Sequence, residues 1–334
     1  MQQVRIHGPG DVRIDEIASP EPGPRDAVIG VRACGICGSD IGYVKLGGVA
    51  GPTPEPMPLG HELAGVVLRV GREVKGLAPG TRVTLNPMGG GNQIGNGAAQ
   101  GGFTPELLVP NVAGGGVLFA LPEDLPDDRA ALAEPLGVGM QAVNRAGVQP
   151  GEKVVIFGAG PIGLMALATC HYRGIDDVVV VDHSATRLDI ATRLGAKSTL
   201  RAGEGDLWAR LAEEQGKGEW LGMPIMAGAD AFIEATGAAT VIPDIIAHAK
   251  EQARIAIVAL HREPVPVDFL SVMAKGLSIL GSIAYPKNYH DMIDMLRAVD
   301  LAPAITHRFG LDEFAAALAV AQDPNAGGKV LIEF

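Results

Sequence analysis

Three short segments far apart in the chain carry the side chains that could do chemistry: Cys34-Gly-Ile-Cys37-Gly-Ser39-Asp40, Gly60-His61-Glu62 and Ala133-Glu134-Pro135. Among their side chains are the Cys37 thiol, the His61 imidazole and the Glu62 and Glu134 carboxylates. A catalytic zinc takes three protein ligands of these kinds and keeps a fourth position open for water or substrate. Bound there, a hydroxyl has its pKa lowered by many units, toward ~7, because zinc is a Lewis acid. Taken singly, each side chain has an ordinary alternative: Cys37 a buried thiol, His61 a turn histidine, Glu62 a solvated carboxylate and Glu134 a helix-capping acid.

The second feature is Gly158-Ala159-Gly160-Pro161-Ile162-Gly163, which follows the apolar run Val154-Val-Ile-Phe157 and opens a helical pattern. In a dinucleotide fingerprint the first glycine permits the tight turn, the second admits the pyrophosphate and the third lets helix pack on strand. The free amides of the helix start face the phosphates. Asp182 closes the next apolar run, Val178-Val-Val-Val-Asp182. A carboxylate there accepts both ribose hydroxyls of adenosine and repels a 2′-phosphate, so NAD is favoured over NADP. His183 and Arg187 lie close enough in sequence to soften that preference. A metal site for an alcohol and a site for a nicotinamide cofactor together predict hydride transfer.

The elements that must position these groups fall into two kinds. Residues 1–149 are dense in short alternating strands and Gly/Pro turns, as in 28–33 and 63–70, and read as a β-rich domain. From Gly151 the pattern becomes strand, helix, strand, the signature of a parallel sheet with crossover helices. Strands are expected over 153–157, 178–182, 231–234, 253–259 and 277–281. Helices are expected over 161–173, after a cap at Ser184, and over 291–299 and 312–321, before a last strand at 329–333.

Composition limits the partners. The chain has 334 residues, suited to two domains, with 47% hydrophobic residues and only 4% aromatic ones. Its formal net charge of −11 disfavours a nonspecific grip on nucleic acid or an anionic membrane. No apolar stretch reaches the ~20 residues of a membrane span, and the start lacks an apolar leader core, so the expected compartment is the cytoplasm. Three cysteines make no disulfide framework. A redox pair at Cys34 and Cys37 would leave Gly60-His61-Glu62 without a reason, so Cys34 and Cys170 are expected to pack in the interior.

The order and spacing of these motifs resemble the zinc-dependent medium-chain alcohol and polyol dehydrogenases of the sorbitol, butanediol and threonine dehydrogenase kind, from 28–34 through to 328–332. The resemblance implies an α/β fold: a doubly wound parallel-sheet Rossmann domain plus a β-rich GroES-like catalytic domain. The domains would be 1–149 (catalytic), 150–285 (NAD-binding) and 286–334 (a return to the catalytic domain). It implies that Cys37 and His61 bind the catalytic zinc, with Glu62 or Glu134 as third ligand and the other in reserve. Ser39 would pass the substrate proton to the cofactor ribose, and Asp40 would orient the Cys37 loop. Gly158, Gly160, Pro161, Ile162, Gly163, Asp182, Arg187 and Thr236 would bind the cofactor, with Thr236 on the nicotinamide side.

Three departures from the family pattern matter. The histidine that often ends the proton relay is Gly42 here. The region of a second, structural zinc, residues 86–102, contains no cysteine, so no tetrathiolate site is possible and a glycine-rich loop replaces the lobe. Ala284 stands where sorbitol-type enzymes often carry an arginine, which weakens a specific sorbitol assignment. The expected protein is a zinc- and NAD-dependent dehydrogenase of a small secondary alcohol, diol or polyol, or of the matching ketone, assembled as a homodimer or homotetramer. The competing readings are a zinc-free quinone or enoyl reductase of the same plan and a non-catalytic nucleotide-binding protein.

Overall fold

A computed structural model of the chain describes residues 1–225 and 227–334, except the side chains of 223–225. The chain divides into two compact units. One comprises Met1–Glu134, Asn288–Arg297 and Ile305–Phe334; the other comprises Pro135–Lys287 and Ala298–Ala304. No helix among the described residues is long and apolar enough to cross a membrane.

The first unit is built on a seven-stranded sheet. Its strands lie in the order Ile305–Gly310, Lys329–Glu333, Ala27–Gly35, Glu62–Val70, Arg82–Leu85 and Leu118–Ala120, while Glu106–Val109 pairs with Ala27–Gly35. A smaller sheet joins Asp11–Glu16, Gln2–Gly8 and Met57–Pro58. The alternation of Ala27–Gly35 sends Ala27, Ile29, Val31 and Cys34 into the core with Leu63, Val67, Phe103 and Phe314. Antiparallel pairing aligns Gly35 with Glu62 and Leu331 with Gly35. The starts of Glu62–Val70 and Lys329–Glu333 are thereby brought to one end of the central strand.

The second unit is the Rossmann sheet. Six parallel strands lie in the order Ser198–Arg201, Val178–Asp182, Val154–Phe157, Ala231–Glu234, Arg254–Ile257 and Ser278–Gly281. The order reverses between Val154–Phe157 and Ala231–Glu234, the topological switch point beside which dinucleotides bind. Continuous apolar runs such as Val178-Val-Val-Val are buried, as a sheet covered on both faces requires. The helix Pro161–Tyr172 begins at Gly160 with proline in its first turn, and Ser184 caps Ala185–Arg193 by accepting from the Arg187 amide at 3.3 Å.

Some elements differ from the sequence pattern for local reasons. The strand expected over 253–259 stops at Ile257 because Val258 and Ala259 both donate to the Glu234 carbonyl. The helix expected from 312 begins as the 3-10 turn Leu311–Glu313 and becomes α-helical at Phe314–Gln322. There the Glu313 carboxylate accepts from the Gly310 amide at 2.9 Å. The edge strand Ser198–Arg201, Ser-Thr-Leu-Arg, has no apolar run to announce it.

Candidate active site

Cys37 is the N-cap of the helix Gly38–Leu46. Its sulfur accepts from the Ser39 amide at 3.5 Å, and its own amide donates to the Asp40 carboxylate at 2.8 Å. This reciprocal cap fixes the loop that presents the thiol. His61 is buried, with Nε2 3.5 Å from the Ser39 hydroxyl and Nδ1 3.6 Å from Asp40 Oδ1. Glu62 is fully buried at the start of its strand. Its Oε2 accepts from Lys329 Nζ at 2.5 Å, and the same ammonium donates to the Ile36 carbonyl at 3.0 Å. A Cβ on Gly35 would stand 2.3 Å from Glu62 Oε2, so only glycine admits the carboxylate there.

Cys37, His61 and Glu62 each offer a ligand atom, all within 4.8 Å of one another. Among the described residues no other such group of three includes a cysteine or histidine. Three buried polar atoms at this point have no hydrogen-bond partner: Glu62 Oε1, and His61 Nδ1 and Asp40 Oδ1, which face each other at 3.6 Å. Unpaired buried polar atoms are costly, and a surplus of anionic groups beside one ammonium calls for a cation. Thiolate, imidazole and carboxylate suit zinc. The residues fit the metal.

The electrostatics agree. Burial opposes charge on His61, yet Asp40, Cys37 and Glu134 outweigh it and hold its pKa well above the ordinary value. Burial likewise opposes the Lys329 charge, and Glu62 with Cys37 overcomes it, so that pKa is raised too. Glu134, in the first turn of the helix Ala133–Ala146, is pushed up to about 7, first by burial and then by Glu62 and Asp40 against the pull of His61 and Lys329. It shares the field of the cluster but is not one of the three clustered ligands. Cys34 is buried beside the Gly60 and Gly102 backbone, and burial raises its pKa far above normal. Cys170 sits in a helix interior, pushed up to about 12 by burial. Both are packing residues.

Sequence reasoning missed Lys329. Its only signal is a cation between Gly327-Gly328 and Val-Leu-Ile at a strand start. It also missed Asn96, whose side-chain oxygen accepts from the Tyr43 hydroxyl at 3.1 Å, and whose amide donates to the Ile94 carbonyl. The cysteine-free loop is thereby tied to the helix that carries Ser39. It is also sewn to the His61 segment by Gly102 N to Gly60 O at 2.8 Å and Phe103 N to Leu59 O at 3.1 Å.

In the second unit the glycine turn is closed as tightly as a phosphate cradle requires. Gly158 has φ of 102°, and a Cβ on Gly163 would lie 1.8 Å from the Gly158 carbonyl. Pro161 and Ile162 form the first turn of the helix that begins there. Asp182 Oδ2 accepts from the Ala159 amide at 2.7 Å and Oδ1 from the Ser184 amide at 2.8 Å, so the carboxylate is held at the turn. The Arg187 guanidinium reaches the same turn, 3.8 Å from a Cβ built on Gly160. Thr236 donates amide and hydroxyl to Glu234 Oε1 at 2.7 and 2.5 Å, and its hydroxyl accepts from the Ala238 amide.

Comparison with known proteins extends this picture over the whole chain. Residues 23–119 match the family described as alcohol dehydrogenase GroES-like domain, and residues 161–299 match zinc-binding dehydrogenase. Human sorbitol dehydrogenase is 33% identical over 325 residues, covering 92% of this chain and 89% of its own. A zinc-binding dehydrogenase from Sinorhizobium meliloti, solved bound to NADP, is 29% identical with a TM-score of 0.86 over 100% of this chain and 99% of its own. An alcohol dehydrogenase from E. coli, solved with NADH, is 26% identical with a TM-score of 0.86 over the same shares. The chain belongs to the zinc-binding, GroES-like medium-chain dehydrogenases, the family of the sorbitol, butanediol and threonine dehydrogenases, and is an oxidoreductase.

Proposed function

We propose that the protein oxidises a secondary alcohol, diol or polyol, or reduces the matching ketone, with one catalytic zinc per chain and NAD as hydride carrier. The observation that carries this reading is the buried cluster of Cys37, His61 and Glu62 with its unpaired polar atoms. Zinc, when bound, supplies a Lewis acid that makes a hydroxyl acidic, and NAD supplies the hydride acceptor. The thiolate and imidazole hold the metal, with Glu62 or Glu134 as third ligand. Asp40 fixes the imidazole by its approach to Nδ1, as a carboxylate behind a ligating histidine does. Lys329 holds the Glu62 side chain in the site through its bond to Oε2. Ser39, beside His61 Nε2, is placed to take the hydroxyl proton and pass it to the cofactor ribose.

Gly158, Gly160, Pro161, Ile162 and Gly163 cradle the pyrophosphate, Asp182 takes the adenosine ribose, and Arg187 lies over the turn. Thr236 shapes the loop on the nicotinamide side through its bonds to Glu234. The boundaries 1–149, 150–285 and 286–334 remain our functional division into catalytic domain, cofactor domain and returning catalytic segment. We read the protein as a cytoplasmic homodimer or homotetramer. Leu260, Phe269, Leu270, Met273 and Ile283 are 68–86% exposed near the last strand of the Rossmann sheet, an apolar edge of the kind that subunits cover. The retained ligands argue against the zinc-free reductase reading. A scan of purified, zinc-loaded protein against diols, polyols, hydroxy amino acids and simple secondary alcohols, read as NADH formation, tests the function. NADH formation from none of these, with zinc and NAD present, would refute it.

A further inference from the structure

Glu234 ends the strand Ala231–Glu234, next to the switch point, and is fully buried. Its Oε1 accepts from the Thr236 amide and hydroxyl and from the Gly237 amide at 2.5–2.9 Å. Its Oε2 faces the ring of His261 at 2.8 Å from Nε2. His261 stands in the segment that follows the strand Arg254–Ile257, with its side chain 13% exposed. That segment is braced at its root by Val258 and Ala259, which donate to the Glu234 carbonyl. It borders the 235–237 turn, and that turn borders the phosphate turn: a Cβ on Gly237 would meet Leu260, and one on Gly158 would meet Ala235 and Thr236.

The bond to a carboxylate sets the tautomer. A carboxylate oxygen facing Nε2 accepts from it, so in the neutral ring Nε2 carries the hydrogen and Nδ1 is left as an acceptor. Among the described residues nothing donates to that Nδ1. His261 lines, with Ala259, Leu260 and Glu263, an open groove of about 450 Å³. An imidazole oriented by a buried carboxylate, with one nitrogen free and partly exposed, is built to receive a donor.

The position names the donor. The doubly wound sheet consists of two mononucleotide-binding halves. The half with Gly158 and Asp182 takes adenosine and the pyrophosphate. The half with Glu234 and Ile257 at its strand ends then takes the other nucleoside, whose hydrogen-bond donors are the ribose hydroxyls and the carboxamide NH2; the hydroxyls stand on the sugar joined to the pyrophosphate, the side nearer the glycine turn. We propose that His261, oriented by Glu234, binds the nicotinamide ribose of the dinucleotide through Nδ1. This deepens the proposed function and rests on its cofactor assignment.

Two substitutions separate this role from that of a strut under the loop. His261→Gln keeps an amide where Nε2 stands, and so the bond to Glu234, but loses the acceptor at Nδ1. His261→Asn keeps a polar acceptor near Nδ1 and gives up the bond to Glu234. Calorimetric titration of the zinc-loaded protein with ADP, ADP-ribose and NADH reads the outcome. His261→Gln should weaken ADP-ribose and NADH by about 3- to 10-fold, the worth of one neutral hydrogen bond, and leave ADP unchanged. His261→Asn should retain more of both affinities than His261→Gln. Equal weakening of all three ligands, or a milder effect of His261→Gln than of His261→Asn, would show a strut and overturn the proposal. Loss of NADH affinity with ADP-ribose unaffected would place the contact on the nicotinamide ring and overturn the ribose assignment. Wild-type protein that binds ADP-ribose and NADH no better than ADP would defeat the cofactor reading beneath it.

Discussion

Lys329→Met tests the electrostatic frame of the metal cluster. Lys329 Nζ sits 2.5 Å from Glu62 Oε2, and both side chains are at most 2% exposed. Methionine matches the length and removes the charge, which leaves a buried carboxylate without its cation. Breaking such a pair costs about 3–5 kcal/mol. Protonation of the stranded carboxyl sets a ceiling. An ordinary glutamate, with a pKa of about 4.3, costs about 1.36 kcal/mol per pH unit above that value to protonate. The ceiling is therefore ~3.7 kcal/mol at pH 7 and ~1 kcal/mol at pH 5. Lys329→Met should destabilise the first unit by about 3–4 kcal/mol at neutral pH and by markedly less at pH 5. Trp208 and Trp220 both lie in the other unit, so tryptophan fluorescence reports the wrong part of the molecule. Hydrogen exchange in peptides covering Glu62–Val70 and Lys329–Glu333, on chelator-treated protein at both pH values, reads the right one. An equal loss of protection energy at pH 5 and pH 7 would refute the ion-pair account and leave only lost packing.

Three further outcomes follow from the same geometry. Zinc must displace a proton from His61, whose pKa is raised, and, where Glu134 is the third ligand, from that carboxyl, pushed up to about 7; zinc affinity of the stripped protein should rise about tenfold per pH unit per displaced proton between pH 6 and 7, and a flat profile would contradict it. Asp182→Gly removes an acceptor held at the phosphate turn, so affinity for NAD should fall and the ratio of NADP to NAD affinity should rise; an unchanged ratio in binding titrations would count against the ribose assignment. Ser39→Ala should lower alcohol oxidation by 10²-fold or more, the usual scale of proton-transfer catalysis, and a pH–rate profile unchanged in height and shape would remove Ser39 from the relay.

How legible all this was depended on range. The Rossmann half could be read because its signals are local: a four-valine run ending in Asp182, a glycine turn after an apolar strand, and a serine cap at Ser184. From the residues alone the zinc cluster was legible only as separate ligand-type side chains, and it took the family resemblance to join Cys37 to His61, since the two meet through antiparallel pairing of the strands beside them, Ala27–Gly35 and Glu62–Val70, which no local periodicity encodes. Lys329 lies 267 positions from Glu62, and a single lysine at a strand start looks like a solvated one until the register Leu331 to Gly35 is known. His261 was invisible for the same reason: Glu234 and His261 join across two strand ends, and neither belongs to a spaced motif. Ser198–Arg201 shows the other limit, because an edge strand needs no apolar run.

The central claim is that one zinc, held by Cys37, His61 and a carboxylate, makes this chain an NAD-dependent alcohol dehydrogenase. Adding zinc back to chelator-stripped protein, while following NADH formation from the best alcohol of the substrate scan, tests it directly. Activity should rise linearly and saturate at one zinc per chain, and Cys37→Ser should stay near the stripped baseline at every zinc concentration. Full turnover in the stripped protein, or in Cys37→Ser, would contradict the account.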